Sequence, residues 1–215
     1  MRGTFALDLY LVTDRAMCAT LGIERVVAEA VAGGVTMVQL RDDATSTPDL
    51  VDLARRLVAL LAPLAVPLVV NNRLDVALAA GAHGLHVGQS DTPPEEARRC
   101  LGPGPILGLS ITDPAQIAAV DPRAVDYLGV GPIFATATKA DAAPAMGLAG
   151  LAAARAATPL PIVAIGGIDE SNATAVIRAG ADGLAVVSAL CAAPDPRAAA
   201  LRLGRTIAVA KQGSL

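Results

Sequence analysis

Aromatic rings are almost absent from this chain. Of 215 residues, two are Phe, two are Tyr and none is Trp. Single-stranded nucleic acid is gripped largely by stacking bases on rings, so that mode of binding has no support here. A core so poor in rings must be packed from Ala, Val, Leu and Ile. A cationic excess is missing too. The chain carries 17 Lys and Arg against 20 Asp and Glu, a net charge of −3. No broad basic field exists to hold a nucleic-acid backbone or an anionic membrane, so an anionic ligand must be caught by local groups. Charged residues make up only 17% and hydrophobic ones 53%, the reverse of a disordered chain. The longest apolar run, Leu57 to Val70, is broken by Pro63 and Pro67 and is too short to span a bilayer. The first residues lead straight into strand-like sequence, with no signal-peptide core. Cys18, Cys100 and Cys191 are odd in number, far apart and not in CxxC spacing. They read as buried or incidental thiols, not as a disulfide framework or zinc site. These absences predict a soluble cytoplasmic protein with small-molecule partners, neither nucleic acid nor membrane, and are compatible with a homo-oligomer.

What is present is alternation. Short apolar runs rich in β-formers occur at Leu7–Thr13, Val35–Leu40, Pro67–Asn71, Gly84–Val87, Ile106–Ser110, Tyr127–Gly131, Ile162–Ile165 and Gly183–Val187. Between them lie helical patterns, among them Ile23–Ala32, Leu50–Leu61, Asn172–Ala179 and Pro196–Val209. In Ile23–Val27–Ala30–Val31 and Val51–Ala54–Val58–Leu61 the apolar spacing is mostly three to four residues, as an amphipathic helix requires. The strands are nearly continuous apolar runs, as in a parallel sheet covered by helices. Gly33, Gly81 and Gly180 read as helix stops before the next strand. Eight such units in 215 residues, about 27 each, predict a compact single-domain (β/α)8 barrel over residues 1–215. The rival is a doubly wound open sheet. It wants a GxGxxG turn after the first strand, and Leu11-Val12-Thr13-Asp14-Arg15 is unlike one. The stretch from Ala135 to Ala145 is the longest without periodicity and reads as a loop over the site.

In a barrel the chemistry sits at the C-terminal ends of the strands. Nearly every predicted end carries a polar group or a Gly turn. They are Thr13-Asp14, Gln39-Leu40-Arg41, Asn71-Asn72-Arg73, His86 with Gly88 to Asp91, Ser110, Gly131-Pro132 with Thr136, Thr138 and Lys139, Gly166-Gly167, and Ser188. Any one of these alone reads as a strand-end cap; the set reads as one pocket. Gly166-Gly167 with Val187-Ser188 fits a phosphate site, because glycines let backbone N–H groups approach an anion. Arg41 and Lys139 are the candidate anion clamps. Asp91 suits Mg²⁺, or an N-cap for the helix starting near Pro93. His86 reads as a core or strand-end histidine and His83 as a solvent-facing turn residue.

The ordered pieces resemble the thiamine-phosphate synthase family. They are Tyr10-Leu-Val-Thr-Asp14, Val38-Gln-Leu-Arg41, Asn71 with Arg73 and Asp75, Gly84-Leu-His-Val-Gly-Gln-Ser-Asp91, Gly108-Leu-Ser110, Gly129 through Lys139, Ala164-Ile-Gly-Gly-Ile168, and Gly183-Leu-Ala-Val-Val-Ser188. The resemblance spans about Leu9 to Arg197, and the segment through Lys139 is its most specific part. It implies a transferase of thiamine biosynthesis. Hydroxymethylpyrimidine diphosphate loses pyrophosphate, and the nitrogen of a thiazole phosphate takes the methylene carbon. The implied carbon–oxygen bond breaks early, so the demand falls on stabilising the leaving group. By resemblance, Gln39 and Asn71 bind the pyrimidine, and Arg41 and Lys139 hold its diphosphate. Ser110 contacts the same substrate, and Asp91 is a ligand of Mg²⁺, the implied cofactor. Thr136, Ala137 and Thr138 hold the thiazole phosphate, with Gly167, Val187 and Ser188 on its phosphate group.

Two positions depart from the family pattern. Asp43 stands where Lys is usual, and Asn72 where Asp is usual. The first replaces a cation facing the diphosphate with an anion. At an effective dielectric of about 20, each charge at about 4 Å is worth on the order of 4 kcal/mol. Asn72 keeps an oxygen for Mg²⁺ but loses its charge. Both changes fall on the diphosphate and metal half. Two alternatives follow: a barrel like the thiazole tautomerases, and a non-catalytic barrel that binds a phosphorylated ligand.

Overall fold

The computed structural model describes residues 5–136, 138 and 143–213. Eight parallel strands close into a barrel in chain order. They are β1 (Leu9–Val12), β2 (Met37–Leu40), β3 (Leu68–Asn71), β4 (Gly84–Val87), β5 (Ile106–Ile111), β6 (Tyr127–Val130), β7 (Ile162–Ile165) and β8 (Gly183–Val186). The outer layer holds α1 (Ile23–Ala32), α2 (Thr47–Leu61), α3 (Leu74–Ala80), α4 (Pro94–Leu101), α5 (Gly147–Ala157), α6 (Ala173–Arg178), α7 (Ser188–Cys191) and α8 (Pro196–Gln212). The unit after β5 has only a 3₁₀ turn, Pro114–Ala119, in place of an α-helix. This is the (β/α)8 barrel that the alternation predicts. The β4 and β7 bounds match those read from sequence, and the others differ by one or two residues at an end.

Each strand is buried on both faces, which is why it reads as an unbroken apolar run. Helix α1 covers the sheet with Val26, Val27 and Ala30. Helix α2 begins three residues before the predicted Leu50. The Ser46 hydroxyl accepts from the Asp49 N–H, and Pro48 presets the first turn. That turn is polar, so apolar periodicity does not reveal it. Helix α8 likewise starts on Asp195, which accepts from the Ala198 N–H at 2.9 Å, and runs past the predicted Val209 to Gln212.

The N-terminal end of the barrel is pinned by one device used twice. Arg98, from α4, donates to Asp126 at 2.6 Å, and the same carboxylate accepts the Leu107 N–H at 2.7 Å. Arg98 also donates to the carbonyls of Gly102, Pro105 and Ala124. Arg155, from α5, repeats this with Asp182, which accepts the Ile162 N–H at 2.7 Å. Each aspartate stands just before a strand and ties it to its neighbour through a helix-borne arginine. The bidentate reach of a guanidinium makes both clamps possible.

Inside the barrel the pleat sorts the residues. The register pairs Val12 with Gln39, Asn71 with His86, His86 with Gly108, and Ser110 with Gly129. Residues two apart along each strand therefore share the inner face. Three of the four aromatic rings gather there. Tyr127 meets Phe5 and Tyr10 edge-on, both at 6.0 Å between centroids.

Candidate active site

The inner face opens at the C-terminal ends of the strands into a cavity of about 390 Å³. Gln39, Arg41, Asp43, Asn71, Asn72, Asp91, Ser110, Thr136, Thr138, Gly167, Val187 and Ser188 all line it. These are the sequence-predicted site residues that can be placed. Ala137 and Lys139, with residues 140–142 of the loop read between Ala135 and Ala145, lie outside the described residues.

Local structure explains each position. Thr13, fully buried at the end of β1, accepts the Arg41 N–H at 3.1 Å and fixes where β2 ends. Asp14 binds the Arg41 guanidinium at 3.0 Å and accepts the Met17 N–H with its other oxygen. Arg41 is thus held at the cavity by a carboxylate that cancels part of its charge. The anion clamp expected at Arg41 is correspondingly weaker. Asp42 turns away to cap its own loop, accepting from Ala44, Thr45 and the Thr45 hydroxyl. Partial burial pushes its carboxyl up, but these bonds and Arg15 together hold it below the usual range. Asp43 stays at the cavity rim and is exposed to solvent.

Asn72 sits in the left-handed region, φ 59°, directly after β3. Asn accepts that conformation more readily than most residues. Asp91 does not cap α4, whose N-cap is Pro93. Its carboxylate instead accepts the Gly88 N–H at 2.7 Å, closing the turn that follows β4. This corrects the N-cap reading, because the proline-bounded start of α4 falls beyond the reach of Asp91. The phosphate-type turns sit opposite. Gly166 and Gly167 both have positive φ, 103° and 63°. A Cβ on Gly167 would come within 2.8 Å of the Ala135 carbonyl oxygen, so only glycine fits. The Thr138 N–H donates to the Thr136 hydroxyl at 3.2 Å.

Sequence reading missed the floor of the cavity. Gln39 donates to the Tyr10 hydroxyl at 2.9 Å, which bonds the Tyr127 hydroxyl at 2.9 Å. Tyr127 bonds His86 Nδ1 at 2.8 Å, and His86 Nε2 bonds the Ser110 hydroxyl at 2.9 Å. Burial drives the His86 pKa down to about 4 and raises those of both tyrosines, so all three rings are neutral near pH 7. His86 is indeed buried, as read, but it faces the cavity. His83 is exposed, and its Nδ1 accepts the Leu68 N–H. Glycine makes room for the floor. A Cβ on Gly108 would lie 2.2 Å from Tyr127 and 2.4 Å from His86, and one on Gly129 would lie 2.9 Å from His86. Glycine inside a strand signals such close approach and was the available clue.

The comparisons with known proteins agree with this geometry. A family model described as thiamine monophosphate synthase matches residues 9–190. The chain belongs to that family. It is 55% identical over 202 residues to the thiamine-phosphate synthase of Albidiferax ferrireducens, covering 94% of this chain and 92% of that one. It is also 55% identical over 207 residues to the thiamine-phosphate synthase of Xanthobacter autotrophicus, covering 96% and 98%. Among solved structures, the thiamine phosphate pyrophosphorylase from Pyrococcus furiosus superposes with a TM-score of 0.86 at 33% identity, covering 95% of this chain and 96% of that one. Relatives of this similarity favour neither the tautomerase-like nor the binding-only alternative. No helix among the described residues is long and apolar enough to cross a membrane.

Proposed function

We propose that this protein joins hydroxymethylpyrimidine diphosphate to thiazole phosphate, releasing pyrophosphate and giving thiamine phosphate. The observation that carries the reading is convergence. Residues from all eight strand ends, among them Gln39, Asn71, Ser110, Gly167 and Ser188, line one cavity. The Gln39 amide and Asn71 hold the pyrimidine. Arg41, steadied by Asp14, and the Ser110 hydroxyl face the diphosphate, with Lys139 joining from the loop after β6. Thr136, Ala137 and Thr138 take the thiazole phosphate, and Gly167, Val187 and Ser188 take its phosphate group. The chemical demand is to hold the two substrates in line and to donate hydrogen bonds to the leaving oxygen as the carbon–oxygen bond breaks. A strong general base is not needed, because the thiazole nitrogen attacks with its own lone pair. His86, neutral and facing hydroxyls, suits that requirement.

The donors near Asp91 fit Mg²⁺. One Asp91 oxygen holds the Gly88 N–H, and Asp91, Asn72 and Asp43 all line the cavity. All are hard oxygen donors, the kind Mg²⁺ takes alongside phosphate oxygens and water. No cluster of three or more His, Cys, Asp or Glu able to hold a metal exists among the described residues. Asp91 and Asn72 would therefore share the ion with the substrate diphosphate, where it would neutralise charge on the leaving group. The same reading places the enzyme in the cytoplasm, acting on small phosphorylated substrates as one barrel domain over residues 1–215. The test is to incubate both substrates with purified protein, with and without EDTA, and assay thiamine phosphate. Product that EDTA abolishes and Mg²⁺ restores supports the reading. No product at any Mg²⁺ concentration overturns it.

A further inference from the structure

The floor of the cavity is a chain of single hydrogens. Each tyrosine hydroxyl has one hydrogen to give, and a neutral imidazole has one N–H. His86 is buried, and both of its ring nitrogens face hydroxyls. Its one ring hydrogen points toward either Tyr127 or Ser110. Gln39 Nε2 donates to Tyr10. The Tyr10 hydrogen is then free for Tyr127, and the Tyr127 hydrogen for His86 Nδ1. His86 must carry its hydrogen on Nε2 and donate it to Ser110. The Ser110 oxygen is thereby used as an acceptor, and its own hydrogen is left for the cavity. If the Gln39 amide turned over, every link would reverse. Gln39 would then show N–H to the cavity, and Ser110 would show only lone pairs.

From this geometry we infer that Tyr10, Tyr127 and His86 form a polarity lock, which holds Gln39 as an acceptor and Ser110 as a donor toward the cavity together. The inference rests on the synthase reading for its purpose. An aminopyrimidine offers N–H to an acceptor at Gln39, and a leaving diphosphate oxygen takes hydrogen from a donor at Ser110. Tyr127 does not line the cavity. It is a positioning residue that acts through His86 and Tyr10. The two ends of the substrate are thus recognised by one shared choice of hydrogen direction, set before the substrate arrives. Gly108 and Gly129 are the backbone cost of this arrangement, because side chains there would displace the rings that carry it.

The experiment reads the hydrogen directly. Only two histidines are present, so ¹⁵N-resolved NMR of the imidazoles can assign both in the full-length protein at neutral pH. His83 Nδ1 accepts the Leu68 N–H and provides an internal reference for the Nε2–H tautomer. The lock requires His86 in the same tautomer, and an Nδ1–H tautomer in the wild type overturns it. Tyr127→Phe keeps the ring and deletes the link. It should mix the His86 tautomers and lower kcat on the order of 10- to 100-fold, while KM for the thiazole phosphate stays unchanged. A Tyr127→Phe protein with wild-type tautomer and kcat also overturns the lock. The tautomer measurement needs no turnover. A wild-type protein that shows the Nε2–H tautomer yet makes no product would sink the synthase reading and leave the lock standing.

Discussion

Replacing Gly108 with alanine tests how tightly the cavity floor is built. The added Cβ would sit 2.2 Å from Tyr127 Cζ, 2.4 Å from the Tyr127 hydroxyl and 2.4 Å from His86 Nδ1. Carbon atoms in contact prefer about 3.5–4.0 Å, so one ring must move by roughly 1.5 Å. Overpacking of that kind costs about 1–3 kcal/mol. The movement also pulls the Tyr127 hydroxyl off its neighbours, and each buried group left unpaired costs a further ~1–3 kcal/mol. The expected loss is on the order of 4 kcal/mol or more, a large share of a native stability of about 5–15 kcal/mol. At roughly 2–4 °C per kcal/mol for a chain of this size, Tm should fall by about 8–16 °C. Urea unfolding at neutral pH gives the free energy, and a thermal scan gives Tm. Gly204→Ala is the control. Gly204 lies inside α8 with nothing within 4 Å of a new Cβ, so it should gain about 0.5–1 kcal/mol. A Gly108→Ala loss below about 1 kcal/mol would show that the floor yields easily and refute the argument.

Asp43→Lys should lower KM for the diphosphate substrate. Because Asp43 is exposed, each unit of charge acts in nearly bulk water at about 1 kcal/mol, so the two-charge swing gives on the order of 30-fold at low salt. The gain should shrink as salt is added, and unchanged steady-state kinetics would mean that the rim does not meet the diphosphate. Asn72→Asp should lower the Mg²⁺ concentration needed for half-maximal activity, read from a Mg²⁺ titration. Acid should weaken the fold through His86. Its folded pKa of about 4 lies below the 6.5 of a free imidazole, so the unfolded chain binds the extra proton first. Stability is therefore full above about pH 6.5 and declines toward pH 4, by about 3 kcal/mol in total. Urea unfolding of wild type and His86→Asn across that range should show a steeper decline in the wild type. Cys18 and Cys191 are buried and Cys100 is exposed, so a thiol reagent should label one cysteine in the native protein and all three after unfolding.

Most of the barrel was legible because its determinants are local. A strand covered on both faces reads as an apolar run, and a helix reads as a three-to-four spacing. The bounds of β4 and β7 followed from that alone. The site was legible because polar residues at strand ends have nowhere else to converge once the sheet closes. The floor was not legible, for the opposite reason. Tyr10 and Tyr127 are 117 positions apart, and each sits in an apolar run where a tyrosine reads as core. Only the closed sheet brings their hydroxyls together. The setting of Arg41 was half legible. Its place at the end of β2 followed from spacing, but its pairing with Asp14 depends on how β1 and β2 are staggered. Asp43 and Asn72 show the limit of reading by type. Exposure at the rim softens the penalty assigned to Asp43, and the left-handed backbone at Asn72 supplies a reason for the amide that charge counting does not.

The location of the two tyrosines has a practical consequence. The protein has no tryptophan, and both of its tyrosines lie in the hydrogen-bonded chain at the base of the cavity, Tyr10 lining it and Tyr127 behind it. Its near-ultraviolet absorbance, circular dichroism and intrinsic fluorescence therefore originate almost entirely at one place. In most proteins such signals average over many scattered rings. Here the unlabelled chain carries its own optical reporter beneath the bound ligand, and a titration followed in that spectral region would watch the floor itself.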